Sequence, residues 1–461
     1  MEQRPRRQIR RTSVVLGALV GYVALLHYAY EKLISPSFAY GGYTYRDPVW
    51  HLYFYAILLV IFIGLLLPKR VERPSDLVLW LLFTVAVAPS ILIAQYADIL
   101  APNGAMALSC LITASFIGVI LFNRGLVTRA IPTPRLSSTS FWILLTVVTL
   151  ITYGYMLITI GLHLRLVSLT DVYDVRGDYR ADIVAGGATI ARLISIQSNV
   201  INPVIMVRGI HTRNRLMIAA GVFGQLLIFA STGFRSVLFS IPLLLLIVLS
   251  FRRNSRPPGS NILIGTIAIA ACAVGVDRVF NTITWTSLII RRFIVSPGLL
   301  SAVYVDVFSR LPSAHLGHSV LRGIVRYPYP EGVTPASVVG STYFKQPDMS
   351  ANANIFADGF MNFGYLGVVA AAVVLLVILR AIDGASIGIP TRVAGAILTL
   401  PMISLANSGI LTTLMTHGLI ASIVILAVLP RDGWEARIGE QPGSSARHTS
   451  PTRVEEARVD E

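Results

Sequence analysis

Long apolar runs separated by short polar connectors fill most of this sequence. A helix needs roughly 20 mostly apolar residues to cross about 30 Å of hydrocarbon, and about twelve runs approach that length. The pattern therefore predicts an all-α fold, a polytopic transmembrane helical bundle of about 12 spans. The predicted spans cover residues 13–30, 50–68, 77–96, 105–122, 141–162, 188–207, 216–231, 236–251, 261–276, 354–379, 394–407 and 410–429.

The connectors alternate in charge. Residues 1–12 carry five arginines, and every second connector after them is basic: "PKRVERP", "NRGLVTRAIPTPR", "RGIHTRNR", "FRRNSRPPGS" and "LRAIDGASIGIPTR". Lys and Arg are enriched in cytoplasmic loops, so we expect both termini to be cytoplasmic in a multi-pass protein of the cell (inner or plasma) membrane. Residues 13–430 are predicted to form one transmembrane domain, and the Gly-, Ser- and Pro-rich tail 431–461 to be disordered.

Composition agrees with a membrane protein: 54% of the 461 residues are hydrophobic and 13% are charged. A net charge of +15 would suggest nucleic acid as the partner of a soluble protein, but here much of that charge lies in the alternating connectors, so no nucleic acid partner is expected. Cys110 and Cys272 both fall in apolar spans, which disfavours a disulfide or a metal site. The chain contains neither a P-loop nor a GxGxxG fingerprint, and we expect no cofactor.

On the opposite face of the membrane we expect two long extracytoplasmic loops, at about 161–187 and 277–353. In the second loop, Ser296 and Pro297 are typical of an N-cap followed by proline at the first helical position. They open the stretch "PGLLSAVYVDVFSRL", which predicts a short helix lying on or dipping into the outer interface.

Arginines are frequent on this outer face, where few basic residues are expected. Each could reach lipid headgroups or pair with a neighbouring aspartate. As a group they also suit phosphate, because the guanidinium fork binds phosphate with two hydrogen bonds. The candidates for binding pyrophosphate or glycan are Arg176, Arg180, Arg192, Arg235, Arg322 and Arg326.

The turn "TGFRS" joins the seventh and eighth predicted spans. Arg235 lies in the first turn of the eighth span, whose free backbone N–H groups point outward. The preceding Ser231, Thr232 and Gly233 suit a helix cap or an anion-binding nest. A helix N-terminus next to an arginine predicts a phosphate site.

The sixth predicted span has a polar face. Counted from Arg192, the residues Ser195, Asn199 and Asn202 follow at intervals near 3.6. Lipid cannot satisfy such a face, so it should line a protein interior or a water-filled cavity, with Asn199 as a candidate substrate contact. The alternative is that these side chains only join helices.

The stretch "SANANIFADGFMNFGYLG" follows the late loop. Asp358 and Asn362 are four residues apart and share a helix face inside the predicted span, where a carboxylate is costly unless it is paired or hydrated. Asp358 could act as a general base toward a sugar hydroxyl, or pair with an outer arginine. Asn362 is a candidate substrate contact, and His318 of "PSAHLGHSVLRG" is a second candidate base. The loop tyrosines, Tyr343 among them, could stack on sugar rings or form an interfacial belt.

About a dozen spans, the "TGFRS" turn, a long late outer loop and "FADGFMNFGYLG" together resemble the oligosaccharide repeat-unit polymerases of the O-antigen polymerase (Wzy) type. In that family the late loop commonly has a G-x-S/T-x-L stretch and a Pro/Arg patch, similar to "GHSVLRGIVRYPYPEGVTP" here. The next span often begins with an acidic residue before a Y-x-N-F-G run. This sequence has Asp358 where the family more often has Glu, and Phe360 where Tyr is common.

The resemblance implies a metal-independent glycosyltransferase that transfers a glycan from undecaprenyl pyrophosphate to a sugar hydroxyl of a second lipid-linked unit. Asp358 or His318 would deprotonate the acceptor, while Arg235 would stabilise the leaving pyrophosphate. The implied partners are a polyprenyl-pyrophosphate-linked oligosaccharide and membrane lipid, with a chain-length regulator and a flippase as further candidates. Two alternatives stay open: an O-antigen-ligase-like transferase with the same donor, and a transporter or flippase of lipid-linked glycans. The absence of a visible internal repeat disfavours the transporter.

Overall fold

The structure is a computed structural model, and it describes residues 3–133, 136–159, 188–251, 255–347 and 349–434. This part of the chain is helical, with isolated bridge pairs in place of strands. Nine of the described helices are long and apolar enough to cross a membrane. The predicted all-α class is confirmed for the described residues, and the long apolar helices are those of a membrane protein by length and composition, while the number of about twelve spans stays a prediction.

Each predicted span coincides with a helix or with consecutive helices, and one further long helix appears in the predicted late loop. In chain order the helices are α1 (Thr12–Gly41, whose helix begins at Gln3), α2 (Trp50–Leu66), α3 (Pro74–Tyr96), α4 (Pro102–Gly125), α5 (Ser138–Thr159), α6 (Thr189–Thr212), α7 (Arg215–Thr232), α8 (Arg235–Ser250), α9 (Ser260–Phe280), α10 (Thr286–Arg310), α11 (Pro335–Thr342), α12 (Ile355–Ala385), α13 (Thr391–Ile397), α14 (Thr399–Asn407), α15 (Ile410–Met415) and α16 (Leu419–Val428).

The helix α3 lies at the centre of the bundle. It is 94% buried over its most apolar stretch, because its sequence is apolar on all sides and such a helix is stable only when surrounded by others. It packs against α4, α9, α10 and α12. By contrast α5 is only 22% buried over its apolar stretch, and side chains such as Leu150 and Ile151 are exposed, as expected on a lipid-facing surface.

The basic connectors meet at one end of the bundle. We call this the basic end, and it comprises residues 67–73, 126–133, 208–214, 255–259, 386–390 and 429–434. Contacts between connectors that are distant in sequence bring them together. These are the backbone pairing of Arg70 with Pro258, the hydrogen bond from Thr391 Oγ1 to the Glu72 carbonyl (2.8 Å) and that from Arg208 to the Gly433 carbonyl (2.8 Å).

The other end, which we call the loop end, comprises residues 42–49, 97–101, 311–347 and 349–354. Tyr343 donates to the Gly42 carbonyl (3.0 Å), and Tyr43 shares a hydrogen bond with Ser296 (2.7 Å). The late loop therefore packs over the connector between α1 and α2.

The helix α10 differs from the predicted short interfacial helix. It has 25 residues, and every residue from Ser296 to Val305 is buried. Gly298 lies against Pro89 of α3 so closely that a Cβ atom would come within 2.7 Å of the Pro89 backbone. The helix is longer and more buried than predicted because it packs against both α3 and α12.

The helix α12 is interrupted inside the predicted span 354–379. Phe363 and Gly364 leave helical geometry, and Gly364 has a φ of 59°, which favours glycine. Gly359 lies against the carbonyl of Gly367, although residues eight apart in a straight helix are separated by about 12 Å. Residues 355–362 therefore fold back against the longer second part of α12, and the prediction of one continuous helix is wrong.

The first four residues of the predicted disordered tail, 431–434, are folded. Arg431 donates hydrogen bonds to the carbonyls of Leu426 (2.7 Å) and Ala385 (2.9 Å), and Trp434 is 2% exposed. The guanidinium of Arg208 lies 4.7 Å from the centre of a Trp434 ring. Residues 431–434 are thus part of the folded basic end, and the rest of the predicted tail lies outside the described residues.

We expect Gly359→Ala to lower the Tm of the purified protein by a few degrees. Its added methyl would sit 2.3 Å from the Gly367 carbonyl oxygen, and overpacking of this kind costs about 1–3 kcal/mol. Gly118→Ala is the matched control, because a Cβ at Gly118 has nothing within 4 Å. Thermal unfolding of both variants in the same detergent tests this, and equal Tm values would contradict the fold-back of α12.

Candidate functional site

Asp358 lies in the short first part of α12, which is fixed to α10 by Asn354. The Asn354 side chain accepts hydrogen bonds from the backbone N–H groups of Phe356 (3.0 Å) and Ala357 (3.1 Å), so it caps this helix. Its amide nitrogen donates to Ser301 Oγ (2.6 Å) and to the Pro297 carbonyl (2.8 Å). This buried cap therefore fixes the start of α12, and with it the position of Asp358 in the first turn of that helix.

The carboxylate of Asp358 faces a second interruption, at the start of α15. Its Oδ2 accepts a hydrogen bond from the backbone N–H of Ile410 (3.0 Å), while Oδ1 accepts none from the residues that the structure describes. A Cβ atom at Gly409 would be 2.6 Å from Oδ1, so only glycine leaves room for this approach. The side chain is half-buried, and none of the ion pairs among the described residues involves it.

The second interruption lies between α14 and α16, at residues 408–418, which we call the C-terminal break. It consists of the short helix α15 and the non-helical residues on either side of it. Ser408 Oγ and His417 Nε2 share a hydrogen bond (3.0 Å) across it. From α6, Ser195 Oγ donates to the Thr416 carbonyl (2.5 Å) and Asn199 Nδ2 donates to the His417 carbonyl (3.3 Å). Asp358 and Asn199, which are far apart in sequence, are thus bound to the same short segment.

The predicted polar face of α6 is split. Residues Gln197–Ile201 form a π-helical turn, which inserts an extra residue and changes the side-chain register. Asn202 is therefore buried toward α5, where it donates to Tyr153 (3.1 Å) and accepts from Gln197 (2.8 Å). The prediction that Ser195, Asn199 and Asn202 share one face is wrong, because it assumed a regular period of 3.6 residues.

Asn362 joins Asp358 to the loop that carries His318. Its amide nitrogen donates to the Asp358 carbonyl (2.9 Å), and its Oδ1 accepts from the Leu316 backbone N–H (2.8 Å). His315 and Leu316 both have positive φ angles, which are unfavourable for side chains of this size. Since Asn362 is 2% exposed and both ends of its amide bond to backbone, it positions this loop, and it does not have the open side chain expected of a substrate contact.

His318 is half-buried beside Tyr327, with 5.9 Å between the ring centres. Burial lowers the pKa of the imidazole below its ordinary value, so the ring is neutral near pH 7. Its Nδ1 is buried and has no hydrogen-bond partner among the described residues. A neutral imidazole can accept a proton, which is the property that the predicted base requires.

Arg235 begins α8 and is half-buried. The predicted cap is not formed: Ser231 and Thr232 belong to the last turn of α7, and the N-cap position of α8 is Phe234, which has no capping side chain. Gly233, with a φ of 65°, ends α7. The predicted seventh span ends at Ser231, within one residue of the end of α7, and the Thr232 hydroxyl accepts from the Phe234 backbone N–H (3.3 Å) instead of capping α8.

The other predicted arginines lie on separate elements. Arg192 is exposed on α6, near the small core formed by Ile190, Ile194 and Val237. Arg322 is exposed and pairs with Glu331, and Arg326 is exposed in the same loop. Arg176, Arg180 and the predicted loop 161–187 lie outside the described residues.

Several residues of the site were absent from the sequence predictions: Asn354, Ser408, Gly409 and His417. A signal for the C-terminal break does exist, because "NSG" and "THG" place glycines at 409 and 418 within an otherwise apolar region, and glycine favours interruption of a helix. The partners of the break could not have been found in this way, since they come from α6 and α12.

We expect Gly409→Ala to weaken the hydrogen bond between Asp358 and the Ile410 N–H, because the added methyl would overlap the carboxylate. Hydrogen bonds to charged groups contribute about 1.5–3 kcal/mol, so the Ile410 amide should exchange with deuterium at least tenfold faster. Hydrogen-exchange mass spectrometry checks this, with Gly104→Ala as a control that meets nothing within 4 Å. Unchanged protection at Ile410 would show that Gly409 is not needed for this contact.

We expect the loop around His318 to lose hydrogen-exchange protection as pH falls. The lowered pKa means that the folded state binds this proton less readily than the unfolded state, so stability is full above the ordinary value of about 6.5 and declines as pH falls through that range. Exchange measured at pH 7.5 and pH 5.5, corrected for intrinsic rates, checks this. His318→Gln should remove most of the difference, and an equal difference in the variant would assign it to other groups.

No protein-family model matches this chain, and neither a curated protein nor a solved structure matches it. The resemblance to repeat-unit polymerases therefore depends on the sequence features that suggested it, and it is carried forward as a proposal.

Proposed function

We propose that this protein is a membrane glycosyltransferase that polymerises lipid-linked oligosaccharide repeat units at its loop end. The observation that carries the proposal is Asp358, a half-buried carboxylate at the junction of two helix interruptions, with Oδ1 free of hydrogen bonds from described residues. A carboxylate in this setting suits a general base. In this proposal the loop end is extracytoplasmic, both termini are cytoplasmic, and the membrane is the cell membrane.

The reaction joins an acceptor sugar hydroxyl to the anomeric carbon of a glycan on polyprenyl pyrophosphate. Asp358 takes the hydroxyl proton as the oxygen forms the new glycosidic bond. The bond from the anomeric carbon to the pyrophosphate oxygen breaks, and its electron pair leaves with the pyrophosphate. The proton then passes from Asp358 to solvent. The reaction as written needs no oxidant, metal or nucleotide to balance its atoms and charges.

The leaving pyrophosphate carries the charge that the protein has to stabilise, and arginines are the side chains suited to it. Arg235 and Arg192 belong to helices that meet in one small core through Val237, Ile190 and Ile194. The N-terminal parts of α6 and α8 therefore lie next to each other, and each carries one of the two arginines. We assign the donor pyrophosphate to this side and the acceptor to Asp358.

His318 is the second candidate base. Its loop is bound to Asp358 through Asn362, which contacts both segments. His318 would accept the proton if the acceptor hydroxyl approaches from the late loop and not from the C-terminal break. A variant at each position distinguishes these two assignments.

A second candidate function is transport of the lipid-linked glycan across the membrane. The observation that favours it is the meeting of the interrupted helix α12 with the C-terminal break beside the π-helical turn of α6. Interrupted helices that surround a polar group are typical of transporter binding sites. An O-antigen-ligase-like transferase, with the same donor and a different acceptor, is a third possibility that the surface glycan itself can distinguish.

We expect Asp358→Asn to abolish long surface glycan chains while single repeat units remain attached. The amide can still accept from Ile410, so the fold is kept while the base is lost. Removal of a general base typically lowers the rate about 10²–10⁴-fold. The measurement is the length distribution of surface glycan in a strain that lacks the chromosomal copy and carries either the wild type or a variant, with membrane levels matched.

Glu72→Gln is the matched control, because Glu72 is an exposed carboxylate at the basic end, paired only with Arg256 at 3.5 Å among described residues. Its glycan should be indistinguishable from wild type. Loss of all attached glycan with free polymer on its carrier would indicate a ligase, and accumulation of repeat units on the cytoplasmic side would indicate a transporter. Unchanged chains in Asp358→Asn would overturn the assignment of the base.

A further inference from the structure

A cavity of about 430 Å³ lies at the loop end, apart from Asp358 and the C-terminal break. It is half open to the surface and is bordered by the connector after α3, the end of α10 and the segment that ends α11. Its volume falls within the range of small-molecule sites, roughly 300–1,000 Å³. Its lining residues are Asp98, Ile99, Asp306, Val307, Arg310, Leu311, Thr342, Tyr343 and Lys345.

Two walls of the cavity are fixed by ion pairs. Arg46 lies 3.5 Å from Asp98 and also donates to the Leu100 carbonyl (2.8 Å), which holds the connector after α3. Asp306 pairs with Arg310 one turn later on α10. Because most of α10 is buried in the core, the backbone that carries Asp306 and Arg310 is held in place.

The third wall is Tyr343, and it is held by Gly42. Tyr343 donates to the Gly42 carbonyl (3.0 Å), and a Cβ atom at Gly42 would lie 2.7 Å from the Tyr343 ring. Gly42 also has a φ of 82°, so glycine is required there for two independent reasons. Burial raises the pKa of Tyr343 to about 12, so its hydroxyl remains a neutral donor.

The charges of the lining decide which ligands fit. Asp98 and Asp306 contribute two negative charges, and Arg310 and Lys345 contribute two positive charges, so the lining has no net charge. A phosphate group would be attracted by Arg310 and Lys345 and repelled by both carboxylates, so this lining gives it little net attraction. A sugar ring instead presents hydroxyls that both donate and accept, and these can satisfy carboxylates and cations placed side by side.

We propose that this cavity binds one or two sugar rings of an uncharged saccharide. Carboxylate and cationic groups would bind its hydroxyls, and Ile99, Val307, Leu311 and the Tyr343 ring would contact its apolar faces. If the proposed polymerase function holds, the saccharide is part of the acceptor glycan, and the assignment to an acceptor rests on that function.

The helix α10 connects the cavity to Asp358. Asp306 lines the cavity, while Tyr304, two residues earlier, donates to the Ala351 carbonyl (2.7 Å), and Ser301 bonds the Asn354 cap (2.6 Å). One rigid helix therefore positions both the cavity and the short helix that carries Asp358. A glycan seated in the cavity would be held at a fixed distance from the proposed base.

The test measures binding of the repeat-unit oligosaccharide released by mild acid from the lipid-linked pool of the same cells. Wild-type protein in nanodiscs should bind it, as followed by saturation-transfer NMR and titration calorimetry. Asp98→Asn and Lys345→Asn should each raise the Kd about tenfold, the usual effect of losing a hydrogen bond to a charged group. Asparagine is chosen at Lys345 because it tolerates the positive φ of 56° found there.

Asp47→Asn is the matched control, an exposed carboxylate of the loop end outside the cavity, and it should bind as wild type. Wild-type protein that does not bind, or cavity variants with unchanged Kd, would overturn the proposal. Displacement of the oligosaccharide by inorganic phosphate would overturn it in favour of a phosphate ligand. Loss of binding in the cavity variants, with normal chain lengths in both Asp358→Asn and His318→Gln, would support the saccharide site while rejecting the proposed polymerase.

Discussion

Backbone N–H and C=O groups inside an apolar bundle have to find partners within the protein, because lipid supplies none. This constraint is sharpest where a helix is interrupted. The structure meets it with side chains: Asn354 caps the first part of α12, Asp358 binds the Ile410 N–H, and Asn199 binds the His417 carbonyl. Polar side chains therefore lie in the interior where helices are interrupted. The candidate site is formed by these side chains.

The same constraint bears on whether Asp358 can act as a base. A carboxylate that only filled a gap would use both oxygens, yet Asp358 uses one toward Ile410 and leaves the other without a hydrogen bond from described residues. Gly409 allows the close approach without adding a side chain. Asn362 gives the complementary case, since both ends of its amide bond to backbone and its role is to position the His318 loop.

The buried helices α3 and α10 hold the polar groups of the candidate site in position. The two helices pack along each other where Gly298 meets Pro89 and where Ser90 shares a hydrogen bond with Ser301 (2.7 Å). The polar contact lies in the core, and Asn354 joins it from α12. Because α10 also carries Asp306, the saccharide cavity and the carboxylate site depend on one packing arrangement.

Hydrophobic runs and basic connectors were sufficient to predict an all-helical membrane bundle and the connectors that share its basic end, because burial and charge sorting act on composition over many residues. They also singled out Asp358 and Asn199 as polar groups that an apolar span must satisfy. The partners of those groups, the fold-back at Phe363 and Gly364, the burial of α10 and the lining of the cavity come from contacts between residues far apart in the chain. Only tertiary structure decides such contacts, because an interruption in one helix is stable only where another helix supplies the missing hydrogen bond.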